Sequence, residues 1–210
     1  MKLEKPSEEK KNVEINMNPI KIGFMNVNVK GESPLLMNKF SDKSKGDMIE
    51  KQTTSGKTKT KELRNIKEEV KNAIYYTADG KAGVPVYAFK KALVEASSYM
   101  EGINQKDVKG SVFIVGDIVP LKFKKMVVNE SIVRIGSFKV PYVRYRPSFH
   151  DWSCSLVVKY NASQIQPNQI LNLFRLAGFH IGILDWRPQK NGQFGQFDIG
   201  EKHFSKEVKK

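Results

Sequence analysis

The chain has 210 residues, enough for one domain with a substantial core or for one domain with insertions. Its 36 Lys and Arg residues outnumber 22 Asp and Glu residues, which gives a formal charge of +14 and an isoelectric point near 9.7. No apolar run reaches about 18 residues, which excludes a membrane-spanning helix. The charged opening MKLEKPSEEKKN argues against a secretory signal.

The net charge and the cysteine count limit which classes of binding partner and which cellular compartment we expect. An excess of positive charge favours polyanionic partners, meaning nucleic acid or an anionic membrane surface. The alternative is a soluble basic protein without such a partner. Cys154 is the single cysteine, so neither disulfides nor a thiolate metal site is expected. His150, His180 and His203 are too scattered to indicate zinc. We therefore expect a cytoplasmic protein with no metal, no cofactor and no membrane partner.

The first part of the chain combines charged segments with one clear strand. Residues 1–12 lack periodicity, which predicts a disordered arm. Residues 20–29, IKIGFMNVNV, alternate apolar and polar side chains, the period of a half-buried strand. Residues 41–61 hold Lys, Ser, Thr, Gly and acids with little to bury, so we expect a mobile loop there. That loop belongs to a large insertion at residues 31–82.

Apolar residues at helical spacing predict two helices in the next part of the chain. One covers about residues 61–75, and the other begins after Pro85 and continues to about residue 100. A polar, glycine-containing stretch at 77–83 predicts a turn between them. The second helix has one apolar face, and its lysines lie off that face.

The chain from Gly110 onwards is rich in β signals. Predicted strands lie at residues 112–115, 118–128, 131–136, 140–146 and 152–160. The third and fourth of these are the arms of a hairpin around the sequence GSFK. Trp152 and Cys154 share one face of the last strand, where we expect both to be buried.

One more helix and one more strand close the predicted core. The helix covers residues 168–177, and Gly178 stands where a left-handed residue commonly ends a helix. The strand lies near residues 196–199, and the tail at 201–210 is expected to be frayed.

The strong elements read strand, helix, strand, strand, helix, strand, at residues 20–29, 86–100, 118–128, 152–160, 168–177 and 196–199. This βαββαβ order predicts an α+β fold with a ferredoxin-like, RRM-like core. The hairpin is inserted between the middle strands, and the large insertion follows the first strand. We predict one such domain over residues 13–200, because a β-sandwich would leave the two good helices without a role.

Two segments give this order a resemblance to a known family. Residues 83–96, GVPVYAFKKALVEA, resemble the xIPxSSxKGxxRE-type segment that opens the first helix of RAMP proteins, the RRM-like subunits of CRISPR effector complexes. The glycine-rich segment 178–197 takes the place of their C-terminal G-rich loop, and the lysine-rich insertion takes that of the thumb in backbone-type members. The resemblance implies binding of RNA or single-stranded DNA and head-to-tail assembly.

The same C-terminal segment carries a second resemblance. Its pattern G-x3-GxxDWRPxKxGxFGxF is similar to that of small uncharacterised proteins from bacteriophage genomes. A phage origin would imply the cytoplasm of a bacterial host as the location.

The glycine-rich segment reads GFHIGILDWRPQKNGQFGQF and is the most informative part of the chain. Glycine is favoured where the backbone takes a positive φ or closely approaches another group. Bare backbone N–H groups, positive charge and nearby rings suit a phosphate chain with stacking bases. The plain alternative is a long turn between a helix and the last strand.

Cations recur on the predicted strands and hairpin. Tyr142, Arg144 and Arg146 share one face by the period of two, and Tyr145 points to the other face. Cation rows with nearby rings suit a single strand of nucleic acid, although lysines on a solvated sheet edge also prevent aggregation. The predicted nucleic-acid contacts are Lys57, Lys59, Lys122, Lys124, Arg134, Arg144, Arg146, Trp186, Arg187, Lys190, Gly192, Phe194 and Gly195.

The sequence shows no catalytic constellation. Its acids near the relevant loops lack a metal-nuclease spacing, and GQFGQF is not a dinucleotide fingerprint because no βαβ strand precedes it. We therefore predict a non-catalytic, sequence-tolerant binder of single-stranded RNA or DNA that forms a homo-oligomer or filament along the strand.

Two other functions stay open. One is a metal-dependent nuclease of RAMP-like fold, in which His180 or Asp185 would act. The other is a phage-encoded inhibitor whose basic surface contacts an acidic host-defence protein. Salt-sensitive binding without cleavage in magnesium would separate the first prediction from the nuclease, and failure to bind any oligonucleotide would favour the inhibitor.

Overall fold

The computed structural model describes residues 19–40, 46, 64–135, 137–200 and 204–207. The predicted arm at 1–12 and, apart from Gly46, the predicted loop at 41–61 lie outside these residues, and so do Lys57 and Lys59. The described residues form an α+β fold, as predicted.

Strands outnumber helices in the described part of the chain. The strands are β1 (Ile22–Gly31), β2 (Leu35–Leu36), β3 (Gly83–Pro85), β4 (Val112–Ile114), β5 (Ile118–Pro120), β6 (Lys125–Ile135), β7 (Val140–His150), β8 (Ser153–Asn161), β9 (Phe197–Ile199) and β10 (Phe204–Glu207). The α-helices are α1 (Ile66–Asn72), α2 (Val86–Ala96), α3 (Gln105–Ser111) and α4 (Pro167–Leu176). A π-helical turn (Ala177–Ile181) continues α4, and 3-10 turns cover Ser97–Tyr99 and Pro188–Lys190.

The main sheet has the strand order of a ferredoxin-like core. Its order is β10-β1-β8-β4, with β9 also paired to β1, and each pairing is antiparallel. The predicted βαββαβ order corresponds to β1, α2, β4, β8, α4 and β9. The two core helices are therefore separated by the β4–β8 pair, as in RNA-recognition modules.

One face of this sheet is buried against the helices. Alternate residues of β1 and β8 are buried, and the residues between them are mostly exposed. Phe89 of α2 meets Phe197 of β9 edge-on, with ring centroids 5.6 Å apart. Trp152 and Cys154 are buried in the same core, as predicted. The Trp152 indole N–H also donates to the carbonyl of Ser33 at 2.8 Å, which satisfies its one polar atom.

The predicted hairpin is real and longer than its sequence signal. Strands β6 and β7 pair over eleven residues each, from Lys125 opposite His150 to Ile135 opposite Val140. Strand β2 pairs with the base of β7, and α1 packs against β7. Two elements of the predicted insertion at 31–82, β2 and α1, therefore join the hairpin.

The predicted strand at 118–128 is wrong as one element. Strand β5 ends at Pro120 and pairs with β3, whereas β6 begins at Lys125 and belongs to the hairpin. Beyond Pro120 the Leu121 N–H still donates to the Ala82 carbonyl at 2.9 Å, and Lys122 then bridges to Ser153 of β8 before β6 begins. The second strand of the main sheet is instead β4, which pairs with β8.

One predicted helix is shorter in the structure, and another helix was not predicted. The helix predicted at 61–75 is described as an α-helix over α1 alone, with Asn65 as its N-cap accepting from the Glu68 N–H at 3.3 Å. Helix α3 was not predicted, although Asn104 and Asp107 form a capping box at its start. Helix α2 agrees with the predicted position.

The C-terminal region differs from prediction in two places. Gly178 does not end α4 as a left-handed residue, because the π-helical turn continues and the positive φ falls at Gly182 (φ 66°). A Cβ at Gly178 would overlap the carbonyl oxygen of Phe197, so this glycine allows α4 to approach β9. The tail is not frayed throughout, since β10 pairs with the edge of β1.

Candidate nucleic-acid interface

The hairpin and the segment before it form a basic projection, which we call the basic finger (residues 122–150). Its exposed or half-buried cations are Lys122, Lys124, Lys125, Arg134, Lys139 and Arg144. Against them stand two acids, Glu130 and Asp151 at its border, and Asp151 lies 3.8 Å from the Lys124 ammonium with both side chains largely exposed. Exposed ion pairs of this kind contribute little to stability. The surface of the finger is therefore strongly positive.

Exposed rings and apolar groups accompany these cations. Phe138 at the tip is 92% exposed, and Ile132 is 70% exposed. Tyr142 is also exposed and shares a face with Arg144, as the period of two predicts. Large exposed apolar side chains on a projecting element are typical of binding surfaces.

Arg64 adds a cation that the sequence analysis missed. Its guanidinium lies 4.7 Å from the ring centroid of Tyr142 and 5.1 Å from that of Tyr145. It donates to the Val143 carbonyl at 2.7 Å and forms a bidentate pair with Glu69. The hydrogen bond to Glu69 raises the pKa of Arg64. Arg64 thus ties α1 to the edge of β7, a contact that only the tertiary structure reveals.

The structure overturns the prediction that Arg146 is a surface cation. Arg146 is 2% exposed, and its guanidinium contacts Asp185 at 2.5 Å and the Ser131 hydroxyl at 2.5 Å. It also lies 5.5 Å from the ring centroid of Trp186. Because this charge is paired inside the protein, Arg146 anchors the base of the finger to the glycine-rich loop.

That loop, which we define as residues 182–195, has an unusual backbone. Positive φ angles occur at Gly182, Leu184, Trp186, Asn191 and Gly195. For a leucine or a tryptophan such a backbone costs about 1–3 kcal/mol and persists only where the surroundings enforce it. Strained backbone of this kind clusters at functional sites, which makes the loop a candidate.

The glycines of the loop are needed so that parts of the loop backbone can pack closely against one another. A Cβ at Gly192 would overlap the backbone of Trp186, and a Cβ at Gly195 would overlap the carbonyl oxygen of Ile183. The Phe194 N–H donates to the Trp186 carbonyl at 3.0 Å, and the Ile183 N–H donates to the Gly195 carbonyl at 3.0 Å. The glycines therefore permit internal backbone packing, and their contact with nucleic acid stays a prediction.

The other predicted loop residues lie at or near its surface. Trp186 is 45% exposed, and the half-buried Phe194 ring lies 6.5 Å from it. Lys190 is exposed. Arg187 is half-buried, because its guanidinium donates to the Gln189 side chain and to the Leu184 carbonyl.

A cleft of about 250 Å³ separates the loop from α2. Its polar lining comes from four separate segments of the chain and includes Tyr75, Tyr87, Lys91, Glu95, Asp185 and Arg187. The hydroxyls of Tyr75 and Tyr87 are hydrogen-bonded at 3.2 Å. We call this the α2–loop cleft; of its lining residues only Arg187 was predicted as a contact.

The cleft holds a tyrosine with a raised pKa beside groups of both charges. Burial raises the pKa of Tyr75, and the Tyr87 hydroxyl and the Asp185 charge act in the same direction. Of the two carboxylates, Asp185 is neutralised by Arg146, and Glu95 lies 4.0 Å from the Lys91 ammonium. One oxygen of Glu95 is buried without a hydrogen-bond partner. The cleft thus presents one hydroxyl donor and two cations beside an acceptor that a ligand could satisfy.

The structure brings some predicted residues together and separates others. Arg187 lies at the cleft, whereas Arg134 and Arg144 lie on the finger, and Arg146 connects the two regions from inside. Among the described residues, no group of three or more His, Cys, Asp or Glu side chains could hold a metal ion. No helix in the described part of the chain is both long and apolar enough to span a membrane.

The sequence itself matches no family model and no curated protein. The fold, however, is similar to that of a chain in the cryo-EM structure of the Type III-B Cmr-beta complex bound to cognate target RNA. The two chains superpose with a TM-score of 0.55 at 10% sequence identity. The match covers 89% of this chain and 61% of the Cmr chain, so this chain spans less than two thirds of that neighbour.

Proposed function

We propose that this protein binds single-stranded nucleic acid, RNA or DNA, without sequence specificity and assembles along the strand. The observation that carries the proposal is the basic finger, which projects cations and rings away from the core. Phosphates would pair with Lys122, Lys124, Arg134 and Arg144, and bases would stack on exposed rings such as Tyr142.

The α2–loop cleft supplies a second contact for the same strand. Lys91 and Arg187 lie at its wall, and whichever of the Tyr75 and Tyr87 hydroxyls accepts their mutual hydrogen bond can donate to a phosphate or sugar oxygen. Glu95 would repel a phosphate but accept from a base amino group or a ribose hydroxyl. The cleft therefore suits a nucleotide that directs a base amino group or a ribose hydroxyl at Glu95 better than it suits a bare phosphate.

The fold comparison supports the same function and a RAMP-like origin. The Cmr chain belongs to an assembly that holds RNA, and this chain shares its fold class. In our proposal Phe138 and Ile132, the exposed apolar residues of the finger, contact the next copy along the strand. Assembly would then give cooperative binding that strengthens with the length of the oligonucleotide.

The first test measures oligonucleotide binding as a function of salt. The protein should bind labelled oligothymidylate and oligouridylate more tightly than duplex DNA, and log K should fall by roughly 0.7 per phosphate contact for each unit of log[salt]. The triple variant Lys122→Ala, Lys124→Ala, Arg144→Ala should lower this slope by about 2.

A matched control removes the same charge elsewhere. Lys21, Lys106 and Lys109 are exposed lysines on other elements, and their triple alanine variant should retain the slope. Equal losses in both variants would show that net charge alone drives binding, and an affinity that ignores salt would refute the proposal. Incubation of a labelled strand with magnesium tests the nuclease alternative in the same experiment, because intact strand is expected.

A further inference from the structure

Three aromatic side chains contact one another at the end of α2, and we call them the ring platform. Tyr99 and His180 stack with ring centroids 4.3 Å apart and ring planes 3° apart. Phe179 meets the His180 ring edge-on at 5.0 Å. Tyr99 is 55% exposed and Phe179 is 64% exposed, so aromatic surface of both faces solvent.

The ring platform stands on fixed backbone. Phe179 and His180 lie in the π-helical turn, which packs against α2 and β9. Gly178 brings that turn directly onto the Phe197 carbonyl, and the Gln196 side chain donates to the Phe179 carbonyl at 3.5 Å. A ligand that binds to rings held in this way loses little free energy in ordering them.

The ring platform adjoins the α2–loop cleft. Glu95, at the cleft wall, precedes Tyr99 by one helical turn, and Gly182 follows His180 by two residues. From Tyr87 to Ala96, the last residue of α2, the chain advances about 14 Å along the helix axis, and the 3-10 turn then leads to Tyr99. The cations and hydroxyls of the cleft and the rings of the ring platform therefore follow one another along the same two segments of the chain.

The size of the ring platform decides what it can bind. A stable protein interface buries about 800 Å² on each partner, far more than three side chains offer, whereas a nucleobase needs one ring face. Stacking on an aromatic ring tolerates every base because each base has a π-face. We propose that the ring platform stacks a base of a strand whose neighbouring nucleotide contacts Lys91 and Arg187 in the cleft. This inference rests on the proposed function and adds a base-dependent contribution at a site separate from the rings of the finger.

The test separates bases from phosphates. Binding is measured for oligothymidylate and for an abasic chain with the same number of phosphates. The wild-type protein should prefer the oligothymidylate, and Phe179→Leu and Tyr99→Leu should each weaken its binding by roughly 5- to 100-fold without changing the affinity for the abasic chain. A 2-aminopurine base in the strand should be quenched on binding to the wild type and less quenched by the variants.

The control is Phe113→Leu, which removes a ring of similar exposure, 49%, from the outer face of β4. This variant should bind both chains like the wild type. Unfolding midpoints are measured for all three variants, and the highly exposed Phe179 keeps the test valid if Tyr99→Leu does not fold. If Phe179→Leu and Tyr99→Leu bind oligothymidylate as tightly as the wild type, or if Phe113→Leu alone weakens binding, the ring platform is refuted while the proposed function stands. If no oligonucleotide binds at low salt, the proposed function fails as well.

Discussion

The glycine-rich loop and the basic finger are both rich in the residues that bind nucleic acid, yet they differ in what holds them. The loop is fixed by its own backbone hydrogen bonds and by glycines that touch neighbouring backbone. The outer half of the finger consists of two paired strands whose large side chains are mostly exposed. The same residue types therefore serve the fold in one region and are free for a partner in the other.

The two regions meet at one ion pair, which shows how this division arises. Arg146 at the base of β7 reaches Asp185 in the loop, and the pair lies against the Trp186 ring. Two residues earlier, Arg144 on the same face is only half-buried. On this face of β7, the position relative to the junction decides whether an arginine is buried or partly exposed. Substitutions on either side of the junction test that difference.

The largest effect is expected for Gly195→Val in the loop. Valine at φ 70° is strained, and its Cβ would overlap the Ile183 carbonyl oxygen. We expect a loss of about 3–5 kcal/mol in the free energy of unfolding, from backbone strain and overpacking together. Urea denaturation measures the change.

Gly110→Ala is the matched control for that substitution. Gly110 lies in α3, and a Cβ there would meet nothing within 4 Å. We expect a gain of about 0.5–1 kcal/mol, because glycine in a helix costs conformational entropy. Similar losses in both variants would contradict the packing explanation for the loop.

The next effect is expected at the junction, for Arg146→Ala. This change leaves Asp185, which is 30% exposed, without its partner and removes a buried side chain from beneath Trp186. We expect a loss of about 3 kcal/mol in the free energy of unfolding, the lower end for a broken buried pair because Asp185 keeps some solvent.

Arg144→Ala is the comparison for Arg146→Ala, on the same hairpin face. Its stability should change by no more than about 0.5 kcal/mol, whereas its binding to an oligonucleotide should weaken. Equal destabilisation by the two substitutions would mean that the whole finger is packed in the same way.

These expectations depend on contacts that the sequence alone only partly reveals. Strand β8 was predicted because one face is buried along its whole length, so its apolar residues alternate without interruption. Residues 118–128 alternate as well, but a period of two does not say which strand they pair with, and after Pro120 they divide between two sheets. The main sheet instead uses the three residues of β4.

The candidate site was predicted less completely than the fold. The cations of the finger follow from local alternation, so Arg144 and Tyr142 were placed on one face correctly. The burial of Arg146 depends on Asp185, 39 residues away, and no local pattern contains that pairing. The α2–loop cleft needs four separate segments, so Tyr75, Tyr87, Lys91 and Glu95 carried no joint signal.

A smaller effect on stability is expected for Arg187→Ala, which removes a loop cation at the cleft. Its guanidinium bonds lie within the loop, to Gln189 and to the Leu184 carbonyl. We expect a loss of about 1 kcal/mol in the free energy of unfolding and a salt slope lower by about 0.7, equivalent to one phosphate contact. Arg187→Lys should recover the slope in part, because it keeps the charge without the planar fork. An unchanged slope with lower stability would assign Arg187 to the loop's structure alone.

The smallest effect on stability is expected at the tip of the finger, for Phe138→Ser. This ring is 92% exposed, so its removal should change the free energy of unfolding by no more than about 0.5 kcal/mol. If the ring contacts the next copy along a strand, the variant should bind a short oligonucleotide normally but assemble less on a long one. Sedimentation velocity of the protein on short and long oligothymidylate separates these two properties.

Normal assembly of the variant would remove the tip from the proposed contact between copies. A loss of more than about 1 kcal/mol in the free energy of unfolding would show instead that the Phe138 ring is packed in the free protein. The finger would then hold its large side chains by internal contacts, as the loop does.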